Sequence, residues 1–127
     1  LTHDPWKRYR LHPDHRNVGY LVLDAIVAAR DSLFFPEQNV DPHRPDELLL
    51  FEAELEDHFE QCDGYENSKL NALLCHQSQL ESTMGIGSKS IDVDTAAFKK
   101  HELSKLDRSY AGEEFSVAEG FKRISEL

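Results

Sequence analysis

The chain is short and strongly acidic, with 127 residues and a formal net charge of −10 from 24 acidic and 14 basic side chains. This length suffices for one domain or part of one, and the excess of acidic groups argues against nucleic acid and against an anionic membrane surface as partners. The sequence has neither an apolar stretch near the ~20 residues that cross a bilayer nor the pattern of a signal peptide, so we expect a cytoplasmic protein.

The first half of the chain predicts a helix followed by a strand. Residues 1–12 are expected to be extended or loop, because two prolines disfavour helix at the residues before them. Residues 18–29 are almost all apolar or small, which predicts a helix that is buried on most sides. Residues 31–47 contain three prolines and predict an irregular connection, and residues 48–55 predict a buried strand.

The second half predicts a further strand and two helices. Residues 58–62 predict a short strand, and leucines at positions 70, 73, 74 and 80 have helical spacing. Residues 82–92 form a possible mobile loop, which could act as a lid or as a plain linker. Residues 94–110 predict an amphipathic helix, whereas the apolar residues that follow fit either a last strand or a docking helix. This order predicts a single α/β domain over residues 1–127, with a mostly parallel sheet.

The motif His12-Pro13-Asp14-His15 carries the clearest chemistry. Pro13 suits the first position of a helix, so His12 is expected at the N-cap and His15 in the first turn. The positive end of the helix dipole disfavours a protonated imidazole, and a neutral imidazole is a ready zinc ligand. A solvated helix cap with incidental histidines is the alternative, because short patterns of this kind recur by chance.

The residues around this motif resemble the PIG-L/LmbE-like family of zinc-dependent N-acetylglucosaminyl deacetylases. The motif resembles the second signature of the family, and Asp4-Pro5-Trp6 resembles its lead-in loop. Further stretches resemble the family in the same order: residues 28–31, 34–37, 69–79 and 110–115. The first signature, a glycine-flanked His-Pro-Asp-Asp-Glu, is absent from this sequence. The resemblance therefore implies the C-terminal part of a Rossmann-like α/β domain.

The resemblance implies a zinc-dependent hydrolase that removes an acetyl group from an N-acetylglucosamine-type sugar or a related small amide. His15 is implied as one zinc ligand, and the other two ligands and the general base are implied to come from the missing first signature. We assign His12 to stabilising the oxyanion or protonating the departing amine. Asp14 is expected to orient an imidazole, or alternatively to cap the helix.

Two alternatives to this deacetylase remain open. One is a non-catalytic α/β binding or assembly module that has lost its metal site, and the other is a metallohydrolase that acts on another bond, such as that of a thiol conjugate. We expect the chain alone to be inactive and to need either its missing half or neighbouring copies in a homo-oligomer. The remaining histidines outside the matched helix are interpreted as surface or loop residues: His3, His43, His58 and His101.

Overall fold

The structure, a computed structural model, describes residues 1–9, 11–87, 89–107 and 116–127. Its helices and strands are mixed along the chain, which confirms the α/β fold class. In chain order they are β1 (Thr2–His3), α1 (Pro13–Ala29), β2 (Leu48–Phe51), β3 (His58–Gln61), α2 (Glu66–Leu74), α3 (Ile91–Leu106) and β4 (Ala118–Ile124). No helix among the described residues has both the length and the hydrophobicity needed to span a membrane.

The four strands form one mixed sheet in the order β1-β2-β4-β3. β1 pairs in parallel with β2, and β2 pairs antiparallel with β4. The parallel pairing expected from the sequence is therefore found between β1 and β2. Since parallel strands end at the same edge of a sheet, the residues that follow these two strands lie close together.

The chain divides into two compact units, residues 1–59 with 120–127 and residues 60–119. The core of the first unit is centred on β2, where Leu48 and Leu50 are buried. In the second unit, α2 and α3 pack on each other, and each contributes one buried leucine, Leu70 and Leu106 respectively. The single domain expected from the sequence stays a prediction.

The helix α1 begins where the sequence predicted. Pro13 occupies its first turn, and the His12 side chain caps the helix because its Nδ1 accepts a hydrogen bond of 3.2 Å from the Asp14 peptide N–H. This contact satisfies one of the N–H groups that a helix start leaves without an intrahelical partner.

At Gly19, α1 lies directly against the backbone of β1. Gly19 is the buried residue of α1. A Cβ atom at this position would lie 2.7 Å from the His3 carbonyl oxygen and 2.9 Å from the Pro5 Cβ. These distances are too short for any side chain, so glycine permits a helix-to-strand contact that alanine would push apart.

The expectation that α1 is buried on most sides is wrong. Val18, Leu21 and Val27 are 41%, 64% and 49% exposed. An apolar composition indicates that a helix is stabilised by burial, but it does not show whether other elements pack against it and bury it. Within the part of the chain that the structure describes, β1 packs against one side of α1, and these three side chains face solvent.

The second helix is shorter than its leucine spacing predicted. α2 ends at Leu74, where the Cys75 N–H bonds to the carbonyl groups of Ala72 and Leu73 and tightens the last turn. Leu80 lies beyond it, directly after the short 3-10 turn Gln77–Gln79.

The third helix begins three residues earlier than expected, at Ile91. Asp94 fixes this start, because its Oδ2 accepts hydrogen bonds from the Ser90 hydroxyl at 2.5 Å and from the Gly87 N–H at 3.0 Å. The loop before it therefore ends at Ser90, and its mobility stays a prediction. Residues 108–110 of the predicted helix, and the family-like stretch 110–115, lie outside the described residues. The last element is a strand, β4, and not a docking helix.

Asp57 links the residues before β3 to β4 and predicts an acid-sensitive stability. The Lys122 ammonium group pairs with its carboxylate, and the Arg123 N–H donates a hydrogen bond of 2.8 Å to Oδ1. The Lys122 hydrogen bond, aided by that from Arg123, holds the pKa of Asp57 below its ordinary value of 3.8. A carboxyl group whose pKa is lowered by folding stabilises the fold above that ordinary value, and this contribution disappears as the pH falls through the lowered pKa.

We therefore expect Asp57→Asn to lower the free energy of unfolding at pH 7, because the amide cannot pair with the ammonium group. Urea titrations of both proteins at pH 7 and at several values below pH 3.8 measure the difference. The difference should shrink over the acidic range. A difference that stays constant down to the lowest pH would contradict the assigned role of the carboxylate.

Candidate metal centre

Three metal-ligating side chains meet at the edge of the sheet where β1 and β2 end. His3 is the last residue of β1, Glu52 follows β2 directly, and His15 lies in the first turn of α1. One donor atom from each lies within 4.8 Å of the others. The parallel register, which pairs His3 with Phe51, brings the two strand ends to the same place.

His3 is the centre of this cluster. Its Nδ1 lies 3.2 Å from Oε2 of Glu52, and its side chain is only 17% exposed. Its ring stacks on the His15 ring with a centroid distance of 4.2 Å and an angle of 9° between the planes. The Phe51 ring contacts it as well, at a centroid distance of 4.0 Å. The interpretation of His3 as a surface or loop residue is therefore wrong.

His12 lies beside His15, with ring centroids 5.0 Å apart. Because the Nδ1 of His12 accepts the hydrogen bond from the Asp14 N–H, a neutral His12 ring carries its proton on Nε2. The helix cap thereby leaves an N–H donor on the other nitrogen of the ring. Such a donor can stabilise negative charge on a substrate oxygen.

Asp14 is near these rings in sequence but does not bond to them. Its side chain is exposed, and among the described residues no imidazole donates a hydrogen bond to its carboxylate. Its charge in the first turn suits the positive end of the helix dipole. The expected role of Asp14 in orienting an imidazole stays a prediction.

A buried carboxylate holds the loops that carry the cluster. Asp4, which is 7% exposed, accepts hydrogen bonds from the Trp6 N–H at 2.9 Å and from the Glu54 N–H at 3.3 Å. Its own N–H donates to the Phe51 carbonyl oxygen at 3.2 Å. Asp4 thus ties the segment after β1 to the segment after β2, next to His3 and Glu52.

The sequence pattern indicated His12 and His15, and it missed His3 and Glu52. A two-residue strand has no periodicity to read, and its parallel partner lies almost fifty residues away. The available signal was the position of both residues at the ends of strands, which would have placed them at one edge of a parallel pair.

The donor types in this cluster fit a zinc ion. Imidazole nitrogen and carboxylate oxygen are both ligands that Zn²⁺ takes in proteins, and His15 and Glu52 are exposed, which suits a site that must remain accessible. The chemistry of the donors is therefore compatible with the metal that the motif predicted.

Comparison with known proteins gives matches to deacetylases. The chain is 30% identical over 82 residues to the diacetylchitobiose deacetylase of Thermococcus kodakarensis, a match that covers 62% of this chain and 31% of that protein. The fold resembles that of the N,N'-diacetylchitobiose deacetylase of Pyrococcus horikoshii, with a TM-score of 0.72, 20% sequence identity, and coverage of 98% of this chain and 44% of that one. No protein-family model matches the chain.

The chain thus spans 31% of the length of the curated relative. The sequence match and the shared fold agree with each other, and both are partial, as the absence of the first signature predicted. Together they show that this chain is similar in sequence to one diacetylchitobiose deacetylase and shares the fold of another over the part of each that it spans, in agreement with the resemblance to the PIG-L/LmbE-like deacetylases.

Proposed function

We propose that this chain supplies part of the active site of a zinc-dependent N-deacetylase. The placement of His12 and His15 carries the proposal: two imidazoles, 5.0 Å apart, on the rigid first turn of a helix, beside further donors at a strand edge. Because the His-Pro-Asp-Asp-Glu signature is absent from these residues, the remaining metal ligands and the general base would come from outside this sequence.

The proposed substrate is a small N-acetylated amino sugar or a related amide. Support comes from the relatives, which are named for diacetylchitobiose, a sugar that carries N-acetyl groups. The net charge of −10 disfavours nucleic acid and anionic membranes as partners and is compatible with a small uncharged substrate in the cytoplasm.

His15 and His12 would have different roles in amide hydrolysis. When bound, zinc supplies a water molecule of lowered pKa that can attack at neutral pH. His15 would hold the ion through a ring nitrogen. His12 would donate a hydrogen bond from Nε2 to the oxygen of the tetrahedral intermediate, and as an imidazolium it would protonate the departing amine, which needs a proton to leave. The products are acetate and the free amine.

A non-catalytic binding module is the second candidate, and the missing first signature is the observation that favours it. The two candidates differ in one respect that can be tested. A chain that evolved away from metal chemistry has no reason to bind zinc through His15, whereas a part of a deacetylase does. The dependence of zinc binding on His15, in a polypeptide that joins this chain to a segment with the first signature, therefore separates them.

In that joined polypeptide we expect about one bound Zn²⁺, and we expect His15→Ala to lose it, because a zinc site that needs about three protein ligands is then left with two. Titration calorimetry and elemental analysis after dialysis measure the binding. His43→Ala is the matched control, since His43 is an exposed histidine outside the cluster. Equal zinc binding by His15→Ala and the unchanged chain would remove His15 from the site.

We expect a variant of His12 to keep zinc but to lose most turnover. His12→Asn is the preferred variant, because asparagine is a favoured N-cap and preserves the start of α1 while it removes the imidazole. In a polypeptide that joins this chain to a segment with the first signature, deacetylation of diacetylchitobiose should fall by about 10²–10⁴-fold, the usual contribution of a general acid. Release of acetate measures the rate. Turnover within a factor of about two of the unchanged protein would defeat this assignment.

A further inference from the structure

We propose that His3 is a positioning residue for His15, anchored by Glu52, and that it is not a second ligand of the same ion. The inference rests on the proposed function in that it takes His15 as the zinc ligand. It assigns a role to two residues that the sequence motif does not contain.

The stacking of the two rings separates these roles. An imidazole binds a metal along a lone pair that lies in the plane of its ring. The planes of His3 and His15 are within 9° of parallel, and their centroids are 4.2 Å apart. Two parallel lone pairs do not converge, and an ion about 2 Å from both nitrogens would lie far out of both planes. One of the two rings can therefore hold the ion in this arrangement, while the other supports it.

His3 is the supporting ring because it is held by its surroundings. Its Nδ1 faces Oε2 of Glu52 at 3.2 Å, and its ring contacts Phe51 at 4.0 Å. A ring held in this way offers a fixed surface on which the His15 ring lies flat. Fixing the orientation of a ligand before the metal arrives raises affinity, as hydrogen-bonded partners of metal-binding histidines do elsewhere.

The backbone of Glu52 adds a second observation. Its φ of 53° lies in the left-handed region, which glycine adopts without strain and glutamate does not. The chain therefore has a glutamate at a position whose backbone conformation favours glycine. Its carboxylate contact with His3 gives that side chain a role.

The experiment measures the Zn²⁺ affinity and the urea stability of the polypeptide that joins this chain to a segment with the first signature, for the unchanged sequence and for each variant in parallel. His3→Ala should weaken Zn²⁺ binding by about 10- to 100-fold, the range seen when a supporting partner of a metal ligand is removed. His3→Phe keeps a flat ring but loses the contact with Glu52, so it should weaken Zn²⁺ binding by no more than about 10-fold, the loss expected from removal of the anchor alone. His43→Ala is the matched control and should bind normally.

Glu52→Gly separates positioning from a merely structural role. Relief of the left-handed strain should leave the urea midpoint unchanged or higher, while the loss of the anchor weakens Zn²⁺ binding by about 10-fold. A loss of Zn²⁺ affinity without a loss of stability supports the proposal. This variant also keeps the test decisive if His3→Ala fails to fold.

Three results would overturn the proposal. Unchanged affinity in folded His3→Ala or in Glu52→Gly removes the positioning role while the proposed function stands. Loss of zinc from both folded His3 variants, as complete as in His15→Ala, makes His3 a ligand. Normal binding by His15→Ala overturns the proposed function, and the positioning role with it.

Discussion

The close contact between α1 and β1 at Gly19 determines the geometry of the whole site. The glycine lets the helix lie against the His3 carbonyl oxygen, which a Cβ atom would meet at 2.7 Å. His15 precedes Gly19 by four residues and so lies on the same face of the helix, one turn closer to its start. The contact that brings the backbones together therefore also brings the His15 ring onto the His3 ring.

Two short strands supply the other half of the arrangement. β1 and β2 end at the same edge because they are parallel, and the buried Asp4 carboxylate ties the segments that leave them. The imidazole and carboxylate groups thus lie at a sheet edge that hydrogen bonds hold in place, and ligands commonly bind at such edges in α/β folds. A chain that is similar to a deacetylase over 31% of its length can in this way hold the donor groups of the proposed metal site in place.

The sequence predicted the parts of the fold that have a local cause. Pro13 and the capping His12 predict the start of α1, and the run Leu48–Phe51 predicts a strand. Features that depend on residues far apart in the chain were missed. The pairing of β1 with β2 is such a feature, and it alone places His3 in the candidate site. The burial of α1 was overestimated for a related reason. The apolar composition indicates that the helix is stabilised by burial, but only the fold shows which elements pack against it.

Substitution of Gly19 by alanine tests the central claim most directly. Nuclear Overhauser effects between the imidazole protons of His3 and His15 report whether the rings are stacked, and circular dichroism reports whether the helices persist. We expect ring-to-ring effects in the unchanged chain, and their loss in Gly19→Ala at unchanged helix content, because the new methyl group must displace α1 from the β1 backbone. Persistence of the ring-to-ring effects in Gly19→Ala would contradict the account.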